Sequence, residues 1–124
     1  MKTILPVLLS LLLTSPALAG PGIQVCFTPE YNTTQECTQE IVNAIDSAGQ
    51  SILVQAYSFT SAPIAKALVD AHRRGVDVRV ILDARANGGR YSEATFLKHA
   101  EIPVLIDSQH SIAHNKVIVI DGRQ

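Results

Sequence analysis

The stretch "AHNKVIVIDG", Ala113 to Gly122, decides how the rest of the chain is read. Val117 to Ile120 is an unbroken β-branched run, the composition of a strand. His114 and Lys116 open the run, and Asp121 closes it ahead of a glycine. Residues two apart on a strand share a face, so His114 and Lys116 are predicted to point the same way, about 7 Å apart. Asn115, Val117 and Val119 then point the other way.

An imidazole beside an ammonium suits a phosphate. Histidine can attack phosphorus or donate a proton near neutral pH. Lysine can offset charge on the non-bridging oxygens as the transition state forms. A metal site fits less well, because lysine is not a usual ligand and no cysteine or carboxylate lies close to His114 in sequence. His110 and His114 are four apart, a spacing that converges only on a helix, and this segment reads as strand. A His-Lys pair taken alone could equally be a solvated strand face. The surrounding sequence has to discriminate.

Upstream, strand and helix patterns alternate. Ile23 to Thr28 alternates like a strand, and "PEYNTTQE" reads as a polar loop. Thr38 to Ala48 carries Ile41, Val42 and Ile45 at helical spacing, stopped by Gly49. Ser51 to Phe59 is a strand. Ala62 to Arg74 is a helix capped by Thr60 or Ser61, with Pro63 in its first turn and cations in its last. Val76 to Leu82 is a strand, "DARANGGR" a loop, Ser92 to Ala100 a short helix, and Ile102 to Ile106 a strand. Ala113 to Ile120 is the last strand. This alternation implies an α/β fold, a mixed, largely parallel β-sheet flanked by helices. Asp83, Asp107 and Asp121 each end a strand. Sites in such sheets gather beyond the strand ends, but an aspartate there also serves simply to start a turn.

The first 19 residues have the form of a secretory signal: Lys2, an apolar run from Ile4 to Leu13, and Ala17-Leu18-Ala19 as a small-x-small cleavage site. A membrane anchor is the alternative, but the run is short and broken by Pro6 and Pro16. The expectation is a signal over residues 1–19, a domain over 20–124, no membrane span after cleavage, and a periplasmic or secreted location. Export would place Cys26 and Cys37, eleven apart, in an oxidising compartment, where a disulfide is expected rather than two buried thiols. Without Lys2, nine Lys and Arg face eleven Asp and Glu, a net charge of −2. That gives no global attraction to polyanions, so a nucleic-acid site would need a local basic cleft. Arg79, Arg85, Arg90 and Lys98 are its candidates, with scattered surface charge as the plainer reading.

"HNKVIVID" fits the pattern H-x-K-x4-D, and on it the chain resembles the phospholipase D superfamily. "VCFTPE" is similar to that family's first strand, "ILVQAYSFTSAPIAKAL" to its second strand and following helix, and "GVDVRVILD" to its third strand. The likeness spans the mature segment and is to the small, single-motif secreted members, typified by the bacterial endonuclease Nuc. It implies phosphodiester hydrolysis without a metal or other cofactor, through a phosphohistidine intermediate. It implies a homodimer with the active site on its two-fold axis. His114 of one subunit would be the nucleophile and His114 of the other the general acid. Lys116 would hold the phosphate, Asn115 is a candidate substrate contact, and Asp121 would support the catalytic set. The substrate would be nucleic acid or, alternatively, a phospholipid head group. The family continues after the aspartate with Gly-Ser/Thr-x-Asn, a carboxylate that orients the histidine, a helix and a strand. None of these follows Asp121 here. The expectation is therefore a C-terminally truncated copy, and an inactive remnant or polyanion-binding fragment is the third reading.

Overall fold

The computed structural model describes residues 22–27, 36–87 and 92–122. The signal over 1–19, most of the "PEYNTTQE" loop and Arg90 lie outside the described residues. The elements in chain order are α1 (Glu36–Asp46), β1 (Ser51–Ala56), α2 (Ala62–Arg73), β2 (Asp77–Asp83), α3 (Ala84–Asn87), α4 (Ala94–His99), β3 (Val104–Asp107) and β4 (Lys116–Ile120).

The four strands form one mixed sheet in the order β3-β2-β1-β4. β1 runs parallel to β2, and β2 to β3, whereas β4 is antiparallel to β1. Alternation along the strands divides the sheet's two faces. Ile52, Val54 and Ala56 of β1, with Val78, Val80 and Leu82 of β2, are buried in one core with Ile45 of α1, Leu68 of α2 and Leu97 of α4. On the opposite face Leu53, Ile81, Leu105 and Val117 stay exposed. Burying a Val, Ile or Leu stabilises by roughly 1.5–3 kcal/mol, so the helix-side face holds most of the packing energy.

The helix boundaries have local causes. Pro63 sits in the first turn of α2, and Gly75 just past its end takes φ +92, a conformation that costs glycine little. Ser61 has the extended backbone of an N-cap but makes no side-chain cap bond; its carbonyl accepts from Ala65 instead. The expected hydroxyl cap fails partly because Pro63 has no N–H to offer. Arg74 donates to the carbonyls of Ile45 and Asp46, satisfying the C-terminal end of α1.

Several expectations need correction. Residues 22–27 form no strand, and Ile23, Val25 and Phe27 are 94%, 66% and 82% exposed. Alternation records which side a residue would face, but a strand also needs an edge to pair with. This segment is tied instead to α1 by the Cys26–Cys37 disulfide. That bridge closes a short loop, worth about 2–3 kcal/mol in the chain-entropy account. The "DARANGGR" loop begins with the single-turn helix α3. β1 ends at Ala56 rather than Phe59, and β4 begins at Lys116 rather than Ala113; both changes shape the site.

Candidate functional site

The C-terminal ends of β1, β2 and β3 and the N-terminal end of β4 form one rim of the sheet, as the register of Ala56 with Lys116 and of Asp83 with Asp107 requires. His114 lies on this rim, outside β4. The Asn115 N–H donates to the Ala113 carbonyl at 2.8 Å, closing a three-residue γ-turn centred on His114. The predicted 7 Å separation along one strand therefore does not hold. The turn folds the imidazole towards the ammonium, leaving Nε2 of His114 and Nζ of Lys116 3.2 Å apart. An ammonium can only donate, so Nε2 accepts, and a neutral ring then carries its proton on Nδ1. The Nε2 lone pair thus faces the cation, where a phosphate oxygen would also be drawn.

Tyr57 lies under both groups. Its ring centroid is 4.7 Å from that of His114, tilted by 51°, and 5.6 Å from Lys116 Nζ. Such a cation–ring contact contributes roughly 0.5–1 kcal/mol at an exposed position. The Tyr57 N–H donates to the Asn115 carbonyl at 2.8 Å, which ties the β1 exit to the γ-turn. Asn115 thus enters the site through its main chain, with its side chain exposed.

Two buried polar residues support this rim, Asp83 and Asn87. Asp83 accepts from the N–H groups of Arg85 at 2.8 Å and Ala113 at 2.9 Å. These backbone bonds, that from Ala113 first, hold its carboxyl below the usual carboxylate range. Asn87 donates to the carbonyls of Tyr57 and Asp83, and its own carbonyl accepts from Phe59 N–H and the Ser92 hydroxyl. Asp107 accepts from the Gln109 N–H and pairs with His110, and the histidine is the larger cause of its lowered pKa.

Asp121 lies at the other end of β4. Its carboxylate accepts from the N–H groups of Gly49, Gln50 and Ser51 at 2.9, 2.7 and 2.9 Å. Asp121 and Gly122 have φ of +51 and +71, as the central pair of a type I′ turn requires. Of the basic-cleft candidates among the described residues, Arg85 alone stands at the rim, on α3 directly after β2. Arg79 is near the start of β2 and is bonded to Asp77, which raises its pKa. Lys98 occupies the last turn of α4. Tyr57 and Asn87 are not candidates in the sequence, whereas Asp83 reads there as a strand-ending aspartate, either near a site or merely starting a turn. The aromatic at the end of "ILVQAYSF" is a usable signal for Tyr57; Asn87, at the end of α3, has none.

The α/β sheet and its histidine-lysine rim define a phospholipase D-like domain. The chain belongs to this family: the family described as "Cardiolipin synthase, PLD-like domain" matches residues 41–124. Phospholipase D of Rickettsia conorii is 43% identical over 107 residues, covering 86% of this chain and 52% of that protein. Mitochondrial cardiolipin hydrolase of Drosophila melanogaster is 35% identical over 83 residues, 67% of this chain and 33% of that protein. The crystal structure of the phospholipase D family member Nuc from Salmonella typhimurium aligns with a TM-score of 0.64 and 47% identity, covering 67% of this chain and 56% of Nuc. The chain thus spans about half the length of the bacterial phospholipases D it matches.

Proposed function

We propose that the chain supplies the reacting half-site of a phosphodiester hydrolase working through a phosphohistidine. The observation that carries this reading is the exposed His114 Nε2 lone pair, 3.2 Å from the Lys116 ammonium. A phosphate entering the pair would take the ammonium onto a non-bridging oxygen and leave Nε2 facing phosphorus. Attack forms an N–P bond and breaks one ester P–O bond, and the departing oxygen takes a proton from an acid. Water then attacks phosphorus, the N–P bond breaks, and the water's proton returns to the group that served as acid. The net products are a phosphomonoester and an alcohol. Asn115, the candidate substrate contact, would act instead through its main chain, whose carbonyl accepts from Tyr57 and holds the turn that presents His114.

One chain contributes one such pair, and the nucleophile cannot also be the acid in the first step. A second copy across a two-fold axis would bring a second His114 as that acid and a second Lys116, so we assign the working form to a homodimer. Asp121 lies a strand's length from the pair and would act by holding β4 in place. The signal-like residues 1–19 and the Cys26–Cys37 bridge support export, to the periplasm or beyond.

Nucleic acid is the preferred substrate, on two supports: the half-buried Tyr57 ring beside His114, a surface on which a base can stack, and the 47% identity to Nuc. A second reading, phospholipid, rests on a cavity of about 410 Å³ lined by Ile41, Phe59, Ile64 and Ile118, with Lys116 on its wall. Hydrolysis of bis(p-nitrophenyl) phosphate tests the chemistry, in the 124-residue chain and in a fusion continuing it with the remaining C-terminal part of Nuc. Plasmid nicking against head-group release from phosphatidylcholine vesicles separates the substrates. Turnover should vanish in His114→Ala; an unchanged rate in that variant sinks the assignment.

A further inference from the structure

We propose that Asp83 is a positioning residue for this reaction, its buried carboxylate pinning the Ala113 N–H and so holding the γ-turn that presents His114. The proposal rests on reading His114 as the nucleophile. Asp83 is only 3% exposed, and a carboxylate is costly to bury unless hydrogen bonds compensate it.

Its register partner provides a comparison within the molecule. Asp83 and Asp107 are paired at the ends of β2 and β3. Each accepts the N–H two residues ahead, from Arg85 and Gln109 respectively. That bond is the ordinary work of an aspartate starting a turn, and it occupies one oxygen. The second oxygens differ. In Asp107 it meets His110, three residues away. In Asp83 it reaches Ala113, thirty residues away and next to His114. A turn-forming role explains the first oxygen of Asp83 and leaves the second unexplained.

The second bond acts where positioning matters. His114 is exposed, so packing does little to fix it. Its main chain is instead fixed on both sides, by Asp83 at Ala113 and by Tyr57 N–H at Asn115. Asn87 ties the two anchors together by donating to the carbonyls of both Asp83 and Tyr57. A misplacement of about 1 Å at a reacting group can cost 10²-fold in rate. Asp83→Ala should therefore lower kcat about 10- to 100-fold and leave KM within about threefold.

The test removes the bond from both ends. Asp83→Ala deletes the acceptor. Replacing Ala113 by lactic acid turns its amide into an ester, which deletes only the N–H donor. Both changes are made in whichever form turns over, the chain or its fusion with the C-terminal part of Nuc, with single-turnover formation of phosphohistidine as the readout. Hydrogen exchange at Ala113 is followed in wild type and Asp83→Ala, both as the 124-residue chain, since the ester has no N–H there. Similar kcat losses in both variants, no further loss in the double variant, and faster exchange at Ala113 with Val54 and Val80 still protected are the expected results. A merely structural role predicts a lower melting temperature with unchanged kcat in the folded protein. Wild-type kcat in the ester variant overturns the proposal, even where Asp83→Ala fails to fold. Turnover that survives His114→Ala is a separate failure, that of the reaction itself.

Discussion

At one end of β4, Asp121 gives its carboxylate to three main-chain N–H groups of residues 49–51. At the other end, the side chains of His114 and Lys116 face each other and the Tyr57 ring. Both ends belong to one sequence motif, yet seven residues of near-extended chain hold them roughly 20 Å apart. A carboxylate that far away cannot touch a phosphate lying against His114. The difference teaches that a motif read as one catalytic set can combine two physical roles. The histidine and lysine stay exposed at the rim, open to a phosphate on the proposed reading. The aspartate bonds backbone, fixing the register of β4 against β1 and hence where the histidine end falls.

If this division is right, activity and stability should separate between the two ends. The largest effect is expected from His114→Ala: a loss of about 10⁴-fold or more in kcat, with the melting temperature unchanged. Lys116→Ala should cost about 10²- to 10³-fold, the range for deleting one group that stabilises transition-state charge, again with an unaltered melt. Asp121→Ala should do the reverse. Losing the acceptor for three N–H groups should destabilise by about 2–3 kcal/mol, a fall of about 10–20 °C for a domain this size. At a temperature where that variant stays folded, kcat should remain within about threefold of wild type. A fully folded Asp121→Ala protein that turns over as poorly as Lys116→Ala would break the comparison.

The smallest effect is a pH dependence at the rim. The folded-state pKa of Asp83 is depressed. Its ionised form therefore adds stability above the unfolded-state value, and that contribution is lost as pH falls through the folded-state value. Wild type and Asp83→Asn should melt with a constant gap above about pH 5, and the gap should narrow below about pH 4. Asp107 titrates in the same direction in both proteins and cancels in the difference. A gap that instead grows as the pH falls would contradict the bonding described for Asp83.

Much of this was legible in the sequence for identifiable reasons. "VRVIL" and "ILVQA" are β-branched or aliphatic at alternate positions, so β1 and β2 were evident. Pro63 and Gly75 punctuate α2 so firmly that its predicted ends lie within one residue of those observed. The family likeness, carried by "HNKVIVID", placed the chain in the phospholipase D superfamily before any contact was known. What stayed hidden depends on contacts between distant residues. No spacing links Asp83 to Ala113, so periodicity ran β4 through His114 and missed the γ-turn. No local signal shows that β4 pairs antiparallel with β1 instead of following β3. Tyr57 and Asn87 join the site through bonds spanning some 30 to 60 residues, which hydropathy cannot register. The N-terminal alternation of Ile23, Val25 and Phe27 misled for the opposite reason: the pattern is present, but among the described residues the segment pairs with no strand.

The place of β4 in the sheet also bears on how the site comes into being. β4 pairs with β1, and Asp121 bonds to residues 70 to 72 positions earlier in the chain. Contacts of such long sequence separation form late, because the loop between them must close before they contribute any stability. The helices and the parallel β1–β2 pair can assemble from the first part of the domain, but the imidazole and the ammonium face each other only once β4 has docked. On the proposed reading, the histidine-lysine pair would thus reach its working arrangement only at the end of folding. A delay in that single docking event would then show up as a lag in activity behind the gain of helix.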